Sequence, residues 1–224
     1  MTSRLALLLA LFLLSMLLSV TATAATAAGP APVAGTDYVE IADGQPFAPQ
    51  AGKIEVVEIF GYTCPHCANF QPVLAPWKAR LPADVQFTSL AAPFGGYWIP
   101  YARAYYAART LGLLERTHGA MFRALHDERR LPLSRPTPQE IAGFYAGYGA
   151  EPQRFMQAMA DPSIDAEFKR VNAFIQRSGV EGTPTLIVNG KYRVLGNSFQ
   201  DTLRITGQLV ARERAARDRA ARNR

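Results

Sequence analysis

The chain contains only two cysteines, and both lie in one short motif, Cys64-Pro65-His66-Cys67. The motif follows an apolar, β-branched run, Ile54–Phe60, which predicts a buried strand. Behind it, apolar residues recur at helical spacing over residues 70–81, so Cys64 should stand at the start of a helix. A two-residue gap closes almost no loop, which excludes a role as a structural staple. The pair is therefore predicted to be redox-active.

The predicted helix start explains why these residue types suit thiol–disulfide exchange. A helix N-terminus presents unpaired N–H groups and partial positive charge, which should lower the pKa of a Cys64 thiol placed there. Pro65 suits the first turn, and His66 should favour the Cys64 anion when it is protonated or donates a hydrogen bond. Cys67, one turn further on, should be the more buried, resolving thiol. A stabilised thiolate would make the oxidised form a stronger oxidant.

Two other interpretations of the cysteine pair stay open at this point. A zinc site needs about four ligands, and only His66, His118 and His126 could join the cysteines. His118 and His126 are eight residues apart, outside the usual spacing of zinc fingers, so we expect no metal and no cofactor. An inert buried pair is the other alternative, although Pro65-His66 at a helix start argues against it.

The first residues indicate export. One positive charge, Arg4, precedes an apolar run over residues 5–20, and small residues follow at 22–27. This pattern is typical of a cleaved secretory signal peptide, here residues 1–28, whereas an uncleaved membrane anchor is the alternative. Residues 29–35 are small and Pro-containing, and we interpret them as a linker.

The formal net charge of +6 is concentrated at the C-terminus. Residues 212–224 hold six Arg against Glu213 and Asp218. Because Arg favours helix C-termini, we interpret residues 213–224 as an Arg-rich tail that continues a solvated helix end. A nucleic-acid-binding protein would need a basic face across the whole domain with interleaved aromatic side chains, so we expect no nucleic-acid partner.

The remaining pattern predicts an α/β fold. Strands are expected at residues 36–41, 54–60, 85–91, 185–188 and 191–195, with Asn189-Gly190 as the turn of the last hairpin. Five helical segments are expected at residues 100–112, 114–126, 137–149, 152–161 and 162–178, and a final helix at 201–219. The simplest architecture is one mixed sheet with an all-helical insertion.

Three segments resemble the DsbA family of periplasmic thiol:disulfide interchange proteins, within the thioredoxin superfamily. They are Phe60-Gly61-Tyr62-Thr63-Cys64-Pro65-His66-Cys67, Gly182-Thr183-Pro184-Thr185 and Val188-Asn189-Gly190-Lys191-Tyr192. They are similar to the family's active site, cis-proline loop and hairpin. The resemblance covers residues 38–212 and implies a thioredoxin-like fold, with residues 36–96 and 178–212 as its two parts and residues 97–177 as the helical insertion.

The resemblance also implies roles for individual residues. Cys64 would be the exposed nucleophile and Cys67 its buried partner in a Cys64–Cys67 disulfide. Pro184 would be the cis-proline beside it, turning the Thr183 backbone toward an extended substrate chain. Tyr62 and Pro65 would join Thr183 in substrate binding. Without the resemblance, an ordinary trans-proline would be the simpler reading, because few X-Pro bonds are cis.

Glu58 stands six residues before Cys64, where the family has a buried acid. The implied role is proton exchange with Cys67 through water, and the alternative is a partly exposed strand residue. Two departures stand out. Residues 87–90 lack the lysine that partners this acid in the best-known members, and residues 68–72 lack the family's acidic run.

The function implied by the resemblance is donation of the disulfide to reduced, unfolded exported proteins by a monomer. A DsbB-type membrane quinone-linked oxidase would reoxidise it. The alternatives are a periplasmic reductase or isomerase arm and a non-catalytic chaperone with the same fold. Four aromatic residues would either form an exposed apolar patch near the site or cover the seam between the two domains: Tyr62, Phe94, Tyr97 and Trp98.

Overall fold

The computed structural model of the protein describes residues 29–223. The predicted signal peptide, residues 1–28, lies outside these residues. The described residues from Pro32 onward belong to one compact unit. Within the described range, every helix is too short or too polar to span a bilayer.

A five-stranded mixed sheet lies at the centre of this unit. Its order is β1 (Tyr38–Glu40), β5 (Tyr192–Val194), β4 (Thr185–Val188), β2 (Ile54–Phe60) and β3 (Val85–Ala91). β2 pairs in parallel with β3 and antiparallel with β4. All seven residues of β2 are buried, as expected for a strand covered on both faces. The redox motif therefore follows a strand that has neighbours on both sides.

Helices surround the sheet, and five of them form the predicted insertion between β3 and β4. Within residues 29–223 they are α1 (Pro65–Lys78), α2 (Trp98–Thr110), α3 (Leu114–Phe122), α4 (Pro138–Ala146), α5 (Pro152–Met159), α6 (Ser163–Arg177) and α7 (Phe199–Arg222). Thr137 and Glu140 form a capping box at the start of α4, as the sequence predicts.

The helix predicted over residues 114–126 is not regular to its end. The α-helical pattern stops at Phe122, and Arg123–Asp127 form a π-helical turn in which the Glu128 N–H donates to the Arg123 carbonyl at 2.8 Å. The prediction of one continuous α-helix is wrong here. A π-helical turn contains one residue more than an α-helical turn, and the spacing of apolar residues is too coarse to reveal that insertion.

Two hydrophobic clusters flank the sheet. Val57 and Ile59 of β2 pack with the insertion in a cluster that also contains both cysteines. Val56 packs with α1 and α7 in the other cluster. Because neighbouring strand residues point to opposite faces, β2 joins the two clusters. The redox motif thus lies against the insertion.

The C-terminal segment continues the last helix, as a solvated helix end predicts. α7 extends through Arg222, and residues 218–223 are exposed. Glu213, in contrast, is buried and accepts hydrogen bonds from Asn189, Lys191 and Tyr192 at 2.6–3.0 Å. The hairpin thus anchors α7 at Glu213.

Candidate active site

The redox motif begins in a tight turn and ends inside α1. The Cys64 N–H donates to the Gly61 carbonyl at 3.1 Å, closing the turn after β2. Cys64 is the N-cap of α1, and its sulfur accepts from the Cys67 N–H at 3.4 Å. Pro65 occupies the first turn, as predicted. The sequence order strand, turn, Cys-x-x-Cys helix thus places the Cys64 sulfur at the positive end of the helix.

The two thiols have opposite electrostatic environments. A hydrogen bond from the Cys67 thiol, together with backbone N–H groups of Cys67 and His66, lowers the pKa of Cys64 to about 5 against the effect of burial. Burial and the neighbouring Cys64 sulfur raise the pKa of Cys67 well above its usual range. Cys64 is 7% exposed and Cys67 0%. The order of accessibility is as expected, but Cys64 is less exposed than predicted because the Thr183 loop covers it.

The second loop of the site faces Cys64. The Thr183–Pro184 peptide bond is cis, as the resemblance implied, and the Cys64 thiol donates to the Thr183 carbonyl at 3.4 Å. Beside this contact lies a cleft of about 270 Å³, lined by residues that include His66, Phe70, Thr183, Pro184 and Phe199. A chain segment bound in this cleft would contact Thr183, whose carbonyl accepts the hydrogen bond from the Cys64 thiol.

Glu58 is fully buried beneath the site, which excludes the partly exposed alternative. It accepts a hydrogen bond from the Ser89 hydroxyl at 2.8 Å and a longer one from the Gln71 amide at 3.4 Å. Burial raises the pKa of Glu58 to about 7, while Ser89 and Lys78 act in the opposite direction. Gln71 stands four residues after Cys67, so the two side chains share one face of α1 and Glu58 lies along that face.

Glu58 and Lys78 also line a cleft of about 830 Å³ that includes Ser89 and His118. On β3, Ser89 pairs with Glu58 in the sheet register. Its hydroxyl therefore donates to the acid from the neighbouring strand, and the cationic side chain that lowers the pKa of Glu58 is Lys78 on α1.

Comparison with known proteins agrees with this geometry. The model of the DSBA-like thioredoxin domain matches residues 55–206. The thiol:disulfide interchange protein DsbA of Pseudomonas aeruginosa is 38% identical over 186 residues, which are 82% of this chain and 86% of that protein. The chain belongs to the DsbA family. It is a thiol–disulfide oxidoreductase, as the sequence predicts.

Solved structures of DsbA proteins share the fold. The oxidoreductase DsbA of Xylella fastidiosa is 54% identical, with a TM-score of 0.81 over 83% of this chain and 100% of that one. Pseudomonas aeruginosa DsbA superposes with a TM-score of 0.76 at 37% identity, over 84% of this chain and 97% of that one. The thioredoxin-like mixed sheet with a helical insertion is therefore confirmed.

The predicted aromatic patch divides into exposed and buried members. Phe94 and Tyr97 are 43% and 50% exposed. The Tyr62 ring fits the second predicted alternative: it is buried and packs against Phe60 and, in the insertion, against Phe122. Trp98 is half-buried, and its ring lies so close to Gly61 that a Cβ on Gly61 would meet it at 1.9 Å. The turn before Cys64 needs glycine at this position because the Trp98 ring fills the space.

Two histidines reach the site that the sequence placed outside it. The His118 Nδ1 lies 2.9 Å from the Tyr62 hydroxyl, and the His126 Nε2–H donates to the Tyr62 carbonyl at 2.8 Å. The eight-residue spacing of the two histidines carries no local signal for this role, because both partners come from Tyr62, more than 50 positions away. Among residues 29–223, no group of three or more His, Cys, Asp and Glu side chains could hold a metal ion.

Proposed function

We propose that this protein donates its Cys64–Cys67 disulfide to reduced, unfolded proteins exported to the periplasm. The opposite pKa shifts of Cys64 and Cys67 carry the proposal. A stabilised Cys64 thiolate favours the reduced form, and the oxidised form is then the better disulfide donor. The printed names of the relatives, thiol:disulfide interchange protein DsbA, support the same reaction class.

The reaction balances without a cofactor. A substrate thiolate attacks the Cys64 sulfur of the oxidised protein, the bond between Cys64 and Cys67 breaks, and Cys67 takes up a proton. A second substrate thiolate attacks the substrate sulfur of the mixed disulfide and releases Cys64 as a thiolate. The substrate dithiol is oxidised to a disulfide, and the Cys64–Cys67 pair is reduced. Of the two cysteines, Cys64 is the better leaving group because the pKa of its thiol is lower than that of Cys67.

Substrate binding is assigned to the cleft beside Cys64. The Thr183 backbone lies directly before β4, so an extended substrate chain can add to it through main-chain hydrogen bonds. Such contacts suit an enzyme that accepts many sequences. Pro65 and His66 are exposed at the rim, and Pro184 borders the same cleft. The Tyr62 ring takes no part, because it is buried.

Proton transfer to Cys67 is assigned to Glu58. A carboxyl group with a pKa near 7 exchanges protons readily around neutral pH. The cleft beside it gives water a path to the acid, and Gln71 links it to the face of α1 that carries Cys67.

Turnover requires reoxidation of the pair. We assign this step to a membrane quinone-linked oxidase of the DsbB type, with the exposed rings of Phe94 and Tyr97 as part of the contact surface. We assign residues 97–177 to the insertion domain. We expect the protein to act as a monomer.

The first experiment is the redox equilibrium of the purified mature protein with glutathione, followed by trapping of the free thiols. A strongly oxidising potential supports the donor function. A reducing potential, as in thioredoxin, would assign the protein to a reductase pathway fed by a membrane electron donor. Oxidation of a reduced, unfolded test protein, with Cys64→Ser as the inactive control, separates an enzyme from a chaperone of the same fold.

A further inference from the structure

The turn that carries Cys64 is held by the helical insertion at three points. The Trp98 ring lies against Gly61, the His126 Nε2–H donates to the Tyr62 carbonyl at 2.8 Å, and His118 pairs with the Tyr62 hydroxyl at 2.9 Å. The three side chains thus contact Gly61 and Tyr62, the residues of the turn that precede the nucleophile.

The turn has few other anchors of its own. β2 ends at Phe60 and α1 begins at Pro65, and the intervening backbone closes through one bond, from the Cys64 N–H to the Gly61 carbonyl. The buried Thr63 hydroxyl has no hydrogen-bond partner among the described residues. Tyr62, held at both its carbonyl and its hydroxyl, is therefore the residue through which polar contacts fix the turn.

The π-helical turn explains how two histidines eight residues apart reach one tyrosine. In a regular α-helix, residues eight apart point about 80° away from each other, whereas residues seven apart differ by only about 20°. Arg123–Asp127 accommodate one extra residue in the turn. His118 and His126 consequently share a face, and that face meets Tyr62.

The His118 contact is neutral at physiological pH. The ring is enclosed by Phe60, Tyr105 and Phe122, and burial lowers the pKa of His118 to about 3. A neutral hydrogen bond in such an enclosure does not weaken with salt and costs free energy when one partner is removed.

We propose that His126 and His118 are positioning residues that fix the redox turn and thereby hold the Cys64 sulfur against the N–H groups at the start of α1. The sulfur lies 3.4 Å from the Cys67 nitrogen, and hydrogen-bond strength falls steeply with distance and angle. A small movement of the turn would therefore weaken the stabilisation of the thiolate. The inference rests on the redox role of Cys64 and assigns the insertion a part in setting it.

The test compares His126→Leu, which removes the donor, with His126→Gln, which retains an N–H group. The Cys64 pKa is measured by thiolate absorbance against pH, and the equilibrium constant with glutathione is measured separately. His126→Leu is expected to raise the Cys64 pKa by half a unit or more and to shift the equilibrium at least threefold toward the oxidised protein. His126→Gln should restore most of both values.

Tyr101→Phe is the matched control, since the Tyr101 hydroxyl donates to the Pro132 carbonyl at 2.6 Å within the insertion. It should lower thermal stability without moving the Cys64 pKa. Tyr62→Phe, which removes the hydroxyl that pairs with His118 and keeps the His126 bond to the Tyr62 carbonyl, should shift the glutathione equilibrium about twofold and serves as the test variant if His126→Leu does not fold. An unchanged Cys64 pKa in the folded variants, or an equal change in Tyr101→Phe, would overturn the proposal. The wild-type potential tests the donor function independently.

Discussion

The polar side chains near the two ends of β2 lie in different surroundings. At the redox end, Glu58 and Cys67 are completely buried, and their pKa values are raised by desolvation. At the opposite end, Asp84 receives two hydrogen bonds from Arg214, at 2.7 and 2.8 Å, and one from Arg217. These side chains are a quarter to a third exposed, and hydrogen bonds from Arg214 lower the pKa of Asp84 to about 2.

The difference shows that burial decides how much a polar contact contributes. A buried group cannot exchange a lost partner for water, so each contact at the redox end changes stability and reactivity together. At the Arg-rich end, solvent and salt replace the partners at small cost. The largest mutational effects are therefore expected around the cysteines, and the smallest at the end of α7.

Loss of the nucleophile should have the largest effect. Cys64→Ser is expected to abolish oxidation of a reduced, unfolded test protein, because Cys67, the other thiol among residues 29–223, is completely buried and burial raises its pKa. In Cys67→Ser the Cys64 thiolate should still attack oxidised glutathione and release one glutathione thiolate, and the mixed disulfide should accumulate because the resolving thiol is absent. Mass spectrometry after incubation with oxidised glutathione measures the adduct. A glutathione adduct on Cys64→Ser would show that the assignment of the two roles is wrong.

Gly61→Ala should destabilise the protein by about 2–3 kcal/mol, because the new Cβ would overlap the Trp98 ring. Urea unfolding of the oxidised protein measures the change. Gly143→Ala is the matched control: its Cβ would meet nothing within 4 Å in α4, and helix propensity predicts a gain of up to about 1 kcal/mol. In a Trp98→Leu background the cost of Gly61→Ala should shrink, and equal costs in both backgrounds would contradict the packing argument.

Glu58→Gln should change the pH dependence of stability. The folded pKa of about 7 exceeds the ordinary value of 4.5, so the stability contributed by this group is present below pH 4.5 and is lost as pH rises through 7. The variant should therefore be more stable than wild type at pH 8, by roughly 2–3 kcal/mol, and the difference should disappear near pH 4. Urea unfolding at both pH values measures it.

Glu55→Gln is the control for this prediction. Glu55 is also buried on β2, but its carboxylate accepts the Phe47 and Ala48 N–H groups at 2.6 and 2.9 Å. Its variant should be less stable than wild type at pH 8, because an acceptor of two backbone donors is weakened. A gain of stability in both variants would mean that the pH effect does not come from Glu58.

Arg214→Ala should have the smallest effect, about 0.5–1 kcal/mol, since the Asp84 pair is partly exposed and Arg217 remains beside it. The effect should diminish in 1 M salt, and the glutathione equilibrium should not change. Arg222→Ala, at an exposed position near the end of α7, provides the baseline. A shift in the redox equilibrium with Arg214→Ala would break the contrast between the two ends of β2.

Several predictions from sequence were correct because they depend on near neighbours in the chain. The position of Cys64 at the start of α1 follows from the strand before it and the helical period after it, and Asn189-Gly190 is a turn signal of two residues. The cis bond before Pro184 came from the resemblance alone. The burial of Glu58 was also implied by the resemblance, since strand alternation was equally compatible with an exposed side chain at this position.

Other features depend on contacts between distant segments and could not be predicted. Tyr62 is enclosed by residues more than 50 positions away, so its burial has no local signal. Ser89 donates to Glu58 only because β3 pairs with β2 in a register that sets these two residues opposite each other.

The redox chemistry of this protein can be predicted from residues that are neighbours in the chain: a thiol pair at a helix start, and strands and helices whose periodicity depends on adjacent residues. What holds the nucleophile in place depends on contacts between distant segments. His118 and His126 reach Tyr62 through a π-helical turn and across more than 50 residues of chain. The physical reason is that periodicity records which face of an element is apolar, whereas the partner of that face is selected by packing of the whole chain.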